Sequence, residues 1–267
     1  MATRVVVTGI GLVTPVGNDV PTTWRALCAG QSGIGQITRF DTAGLKVTIA
    51  GEVKEFDPSS VLSKKDQRRN DRVLGYGVVA AHEAVRQSGL DVPAHRNDVG
   101  VLIGSGIGGI ESHATQFRVL YEQGPDRVSP FYIPQAIPDI IAGITAISLG
   151  AAGPNYAIVS ACATGAHSIG EAFEIIRRGD ALAMIAGGVE SAVTPISLAA
   201  FANMQALSRF AGDPTKASRP FDATRDGFVL GEGAGVLVLE DLEFAQKRGA
   251  QILGEVVGYG ATADAYH

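Results

Sequence analysis

The chain has 267 residues, 46% hydrophobic and 18% charged, with a net charge of −5. That is enough apolar sequence for a large core, and an acidic balance argues against bulk nucleic-acid binding while leaving room for a local basic patch. Two cysteines, Cys28 and Cys162, make no disulfide framework, no Cys/His cluster has zinc spacing, and no apolar run is long enough for a membrane span.

The N-terminal MATRVVVTGIG has no long apolar signal segment, so a reducing, cytoplasmic location is the default expectation. Arg4–Thr8 is a β-branched run that predicts a buried strand, and Gly9–Gly17 a Gly/Pro-punctuated turn region. Asp19–Ala29 predicts a helix with Pro21 in its first turn, and Cys28 within it is expected to be plain packing. Val47–Val53 reads as a strand inside a mixed segment. Ser63 opens a helix on which Lys64/Arg68 and Lys65/Arg69/Arg72 fall at helical spacing, a solvated face or a docking patch for an acidic partner. Val73–Gly89 continues as a helix closed by Gly89.

Asp98–Ile103 is a second buried strand running into Gly104-Ser105-Gly106-Ile107-Gly108-Gly109 and a helix over Ile110–Glu122. Gly104, Gly106 and Gly109 fit G-x-G-x-x-G, but no strand with an acidic end follows about 20 residues on, so a loop of close backbone approach is expected rather than dinucleotide binding. Ser129–Pro134 reads as an extended apolar segment, Ile137–Leu149 as a helix and Ala181–Glu190 as a strand and Gly turn. Ile196–Ala206 reads as a helix, Gly227–Glu240 as two strands about a Gly turn, Asp241–Gly249 as a charged helix and Gln251–Tyr259 as a last strand. The alternation defines an α/β fold with several buried strands, and no internal repeat is visible.

The stretch Tyr156–Gly170, YAIVSACATGAHSIG, carries the sharpest chemistry. Tyr156–Val159 predicts a buried strand, His167–Arg178 a helix, and Cys162 falls at the junction among small residues. The unpaired N–H groups and dipole of a starting helix stabilise a thiolate there. Local chemistry alone leaves two readings open, nucleophile and small buried hydrophobe.

Five collinear stretches then resemble the β-ketoacyl-acyl-carrier-protein synthases, the elongating type II condensing enzymes in particular. They are VVVTGIGLVTPVGN (5–18), IGSGIGG (103–109), SACATGAHSIG (160–170), SRPFDATRDGFVLGEGAGVLVLE (218–240) and GYGATADAYH (258–267). The resemblance implies a thiolase-like α/β fold, with residues 1–250 as the N-terminal half and 251–267 as the first strand of the second half. It implies Cys162 as the acyl-accepting nucleophile, Ile107 and Phe201 beside the acyl pocket, and Ile133, within Phe131–Ile137, near a dimer interface and the pocket's end. Lys64, Lys65, Arg68, Arg69 and Arg127 match the basic surface that receives the acidic acyl carrier protein. The implied chemistry is acyl transfer to Cys162 followed by decarboxylative condensation with a malonyl-carrier, without metal or redox cofactor, in a homodimer that needs neither nucleic acid nor membrane.

The family also uses two histidines, a lysine and a Gly-Phe-Gly loop from the second half of the fold. His82, His95, His113, His167 and His267 match none of those motifs, and His167, five residues past Cys162, is expected to point away from the sulfur as a packed or polar-capped residue. The favoured expectation is the N-terminal part of a condensing enzyme, unable to condense alone. A short protein that binds acyl groups or carrier protein or dimerises without condensing, and a piece of a polyketide ketosynthase, are the alternatives.

Overall fold

A computed structural model describes residues 3–266; Met1, Ala2 and His267 lie outside it. In chain order the first half holds β1 (Val5–Val13), α1 (Val20–Cys28), β2 (Gly35–Gln36), β3 (Ile49–Ala50), α2 (Lys64–Arg69), α3 (Arg72–Ser88), β4 (Val99–Gly104), α4 (Ile110–Gln123), α5 (Tyr132–Ala136) and α6 (Ile140–Leu149). The remainder holds α7 (Thr164–Arg178), β5 (Ala183–Ser191), α8 (Pro195–Asn203), β6 (Glu232–Asp241), α9 (Leu242–Lys247) and β7 (Gly254–Val256).

Among the described residues five strands form one mixed sheet in the order β4-β5-β6-β1-β7, with β4 and β5 parallel and the other neighbours antiparallel. Period-two alternation sends Val99, Val101, Ile103 and Ile185 to one face, under α3 and α6, and Leu102, Met184 and Ala186 to the other, under α7. The result is a helix–sheet–helix sandwich with α7 and its preceding turn against the middle strands. A further apolar cluster, including Ile37, Ile49, Leu198, Leu207 and Leu230, joins the excursion around β2 and β3 to α8 and the segment before β6.

Helix starts follow the side chains that cap them. Asp19 accepts from Thr22 N–H at 2.6 Å, Ser63 from Asp66 N–H at 3.2 Å, and Asp241 from Phe244 N–H at 2.9 Å. Gly89, at φ 64°, closes α3 as expected.

Several expectations are corrected. β1 does not end at Thr8 but runs on through Gly9 and Gly11 to Val13, because bare glycines there admit the α3 backbone rather than turning the chain. Tyr156–Val159 is not a buried strand: its approach makes a single bridge to β4, Asn155 with Val101, and Tyr156 and Val159 stand exposed. Tyr132–Ala136 is helical rather than extended. Gly227–Glu240 gives one strand, β6, preceded by an isolated bridge between Phe228 and Leu207. The basic helix ends at Arg69; Asn70 is extended and Asp71 caps α3, so Arg72 leaves the row and pairs with Glu111 at 3.4 Å. Cys28 is exposed rather than packed.

Candidate active site

The segment before Cys162 lies along β4, with Val101 N–H donating to Pro154 O at 2.9 Å. It passes so close to the end of β4 that a Cβ on Gly104 would stand 2.3 Å from the Ile158 carbonyl oxygen. The chain then turns sharply. Ala161 takes a left-handed φ of 50°, a conformation that costs a non-glycine residue about 1–2 kcal/mol. Hydrogen bonds hold the turn: Ser160 N–H donates to Thr164 Oγ1 at 2.9 Å, Ala163 N–H to Ser160 O at 3.1 Å, and Ser160 Oγ lies 2.7 Å from His167 Nδ1. Cys162 sits exposed in the middle of a 3-10 turn, Ala161–Ala163, that leads straight into the 15-residue helix α7. The positive end of that helix dipole is therefore adjacent to the thiol. Of the two readings of His167, packed or polar-capped, the second holds, and the cap is the hydroxyl of Ser160.

Cys162 opens onto a cavity of about 740 Å³ whose walls include Ile107, Ile169, Phe201, Phe228 and Leu230. Phe201 and Phe228 meet edge to face at 5.6 Å. Of the residues predicted to border an acyl pocket, Ile107 and Phe201 are thus brought to the cysteine. Ile133 is not among the lining residues; it stands 63% exposed on α5. Its side chain points to solvent because α5 is a single short turn with only Ala136 buried.

Ile107 belongs to the Gly-rich loop between β4 and α4. No strand follows α4 directly; the strand parallel to β4 is β5, which begins at Ala183. The dinucleotide unit is therefore not completed, and the glycines serve close approach: a Cβ on Gly109 would stand 2.1 Å from Gln135 O. A carboxylate grips this loop. Glu190, at the end of β5, accepts from Ser105 Oγ at 3.1 Å and from Ile107 N–H at 3.1 Å, while Ser105 Oγ accepts from Gly108 N–H at 2.9 Å. Burial pushes the Glu190 carboxyl above its usual range, against the opposing pull of these hydrogen bonds.

Lys64, Lys65, Arg68 and Arg69 are exposed on α2, and Arg127 is exposed in the 3-10 turn Pro125–Arg127. Arg69 is not purely a surface charge, since its guanidinium lies 4.5 Å over the Phe131 ring. Among the described residues no group of three or more His, Cys, Asp or Glu is placed to hold a metal ion, and no helix is long and apolar enough to cross a membrane.

Three features of the site escaped the sequence: the Ser160–Thr164–His167 brace, the Glu190 clamp, and a buried carboxylate, Glu232, in the cavity wall. Glu190 had a signal, an acidic residue closing an otherwise apolar strand. Glu232 had none, because its partner Arg39 is 193 residues away.

A mixed sheet sandwiched by helices thus presents a cysteine on a strained turn at a helix start over an apolar cavity. Residues 2–245 match the family model for the β-ketoacyl synthase N-terminal domain. The chain belongs to the β-ketoacyl synthase family, with its thiolase-like fold. It is 53% identical over 265 residues to 3-oxoacyl-[acyl-carrier-protein] synthase 2 of Staphylococcus aureus (strain COL), covering 99% of this chain and 64% of that protein. The chain thus spans somewhat less than two thirds of the length of that relative. A β-ketoacyl synthase from Burkholderia phymatum STM815 superposes with a TM-score of 0.90 at 34% identity, covering 100% of this chain and 66% of that one. A type II polyketide synthase acyl-carrier protein in complex with its ketosynthase, bound to the hexaketide, matches with a TM-score of 0.84 at 30% identity, covering 100% of this chain and 65% of that one.

Proposed function

We propose that this chain supplies the acyl-accepting part of a β-ketoacyl-acyl-carrier-protein synthase that elongates acyl chains in fatty-acid synthesis. The observation that carries this reading is the placement of Cys162, exposed on its turn at the start of α7 and open to an apolar cavity. The Cys162 thiolate attacks the thioester carbonyl of an acyl group held on the carrier's phosphopantetheine. A sulfur–carbon bond forms, the old thioester bond breaks, and the carrier thiol leaves with a proton. The Cys162 N–H is one donor for the transient oxyanion. The acyl chain lies between Ile107 and Phe201.

In the second half-reaction malonyl-carrier loses CO2 and its carbanion attacks the acyl-enzyme carbonyl, releasing Cys162 and a product two carbons longer. Among the described residues no histidine lines the Cys162 cavity, so this step calls on groups beyond those described. The acidic carrier meets Lys64, Lys65, Arg68, Arg69 and Arg127, and the similarity to a ketosynthase solved in complex with its acyl-carrier protein supports that partnership. Exposed Ile133 and Phe131 fit coverage by a second copy in a homodimer. A cytoplasmic setting completes this reading. The higher identity to a 3-oxoacyl-acyl-carrier-protein synthase than to the polyketide ketosynthase favours simple acyl chains over polyketides.

The test is transfer from acyl-carrier protein to the chain, followed by intact mass. The expected result is one acyl adduct, lost in Cys162→Ala, and formed about tenfold more slowly in Lys64→Glu/Arg68→Glu at low salt. A rate indifferent to both charge reversal and salt would refute the docking surface.

A further inference from the structure

Glu190 is a carboxylate in the wall of an apolar cavity, and a simple wall residue there would be aliphatic. Its two oxygens are instead both committed to one neighbour, the Gly-rich loop. Oε1 accepts from Ser105 Oγ at 3.1 Å and Oε2 from Ile107 N–H at 3.1 Å. Ser105 is itself fully buried and accepts from Gly108 N–H at 2.9 Å, so the loop is tied at Ser105, Ile107 and Gly108 to one side chain on β5. A further anchor lies at the loop's far end, where Gly109 N–H donates to Ala136 O at 3.2 Å, leaving the Ile107 side to the carboxylate. Gly106 and Gly108 flank Ile107, Gly108 lies at φ 74°, and neither contributes a side chain to packing. A Cβ on Gly106 would stand 3.1 Å from Glu190 Oε2 and 3.3 Å from Ala161 O, so the clamp lies where the loop crosses the turn carrying Cys162.

We propose that Glu190 is a positioning residue that pins the backbone of Ile107 against the Cys162 turn and thereby sets how long an acyl chain the cavity admits. The claim rests on the reading of that cavity as an acyl site. With the carboxylate present, Ile107 is held as a fixed wall. Without it, a loop flanked by glycines can swing Ile107 aside and lengthen the accessible space. A carboxylate is suited to this task because its acceptor-only oxygens can take both an O–H and an N–H in a site with little water. Glutamine keeps the anchor on Ile107: its carbonyl oxygen can accept from Ile107 N–H while its amide donates to Ser105 Oγ, whose own O–H gives up its acceptor.

Alkylation of the thiol reads access without requiring acyl transfer. The sulfur displaces iodide from iodoacetamide or from N-octyl iodoacetamide, forming an S–C bond and releasing iodide. Peptide mass spectrometry then gives the long-to-short rate ratio at Cys162, normalised to the same ratio at exposed Cys28. Glu190→Ala is expected to raise that ratio about tenfold, the order expected for losing a charge-assisted hydrogen bond, and Glu190→Gln to stay within about twofold of the native chain. Ser105→Ala, which removes the hydroxyl bridging Glu190 to Gly108, is expected to raise it about threefold and serves if the first variant does not fold. An unchanged ratio in folded Glu190→Ala, or in Ser105→Ala where the former does not fold, overturns the proposal. So does a glutamine variant that behaves like alanine. A ratio that shifts as expected in a chain that takes no acyl group from its carrier would keep the clamp and remove the acyl-transfer reading instead.

Discussion

Replacing Arg39 by methionine tests whether the cavity wall depends on one cation. Arg39 lies in the excursion around β2 and β3, and its guanidinium reaches across to β6. Nη1 donates to Glu232 Oε2 at 2.7 Å, Nη2 donates to Glu232 Oε1 and, at 2.9 Å, to Val193 O, and Nε lies 3.6 Å from Glu52 Oε1. The Glu232 side chain is 0% exposed and that of Glu52 4%. Glu52 has other donors, Thr38 N–H at 3.0 Å and Thr38 Oγ1 at 2.9 Å. Glu232 keeps Ser191 Oγ at 3.2 Å, Val53 N–H at 3.3 Å and Tyr76 O–H at 3.4 Å but loses its only bidentate and only cationic partner among the described residues.

Arg39→Met preserves most of the stem and removes the charge. That leaves a buried carboxylate without its cation. Removing one partner of a buried ion pair costs about 3–5 kcal/mol. Urea unfolding followed by circular dichroism, for Arg39→Met and for Arg39→Met/Glu232→Gln, checks this. The double variant is expected to recover about 2 kcal/mol, because the remaining partner no longer brings a charge into the core. A loss below about 1 kcal/mol in Arg39→Met, or a double variant no more stable than the single one, would refute the reasoning.

Two further outcomes follow from the same packing. Gly11→Ala would place a Cβ 1.8 Å from the Ala80 carbonyl oxygen on α3, and is expected to cost at least about 3 kcal/mol by thermal or urea unfolding. Burial and the nearby Glu232 push the Tyr76 phenol up to about 12. Below pH 10 both folded and unfolded chains hold that proton. Above it the unfolded chain ionises first, so native stability should fall by about 2 kcal/mol between pH 10 and pH 12 relative to Tyr76→Phe, as parallel unfolding curves would show.

How much of this was legible in the sequence depended on how local the cause was. Asp19, Ser63, Asp241 and Gly89 mark helix ends through contacts within a few residues, and the fully buried Val99–Gly104 reads as a strand from composition alone. The nucleophile turn was locatable from small residues around Cys162, yet the strain at Ala161 and the brace from His167 were not. Gly9 and Gly11 misled because a glycine that turns the chain and one that admits a neighbouring helix look alike until α3 is in place. Tyr156–Val159 looked like core because it is apolar, although its outer side has no strand against it among the described residues. Glu232, Arg39 and Glu52 come from separate stretches, and only the fold brings them together.

The central claim is that Cys162 is made an acyl acceptor by its setting, not merely by being a thiol. The chain contains its own control, since Cys28 is also exposed. The most direct measurement is peptide mapping by tandem mass spectrometry after brief exposure to a carrier-bound acyl thioester. The account predicts acylation of Cys162 at least about tenfold faster than Cys28, the effect of a helix-terminus thiol with a fitted apolar cavity. Equal labelling of the two cysteines, or labelling of Cys28 alone, would contradict it.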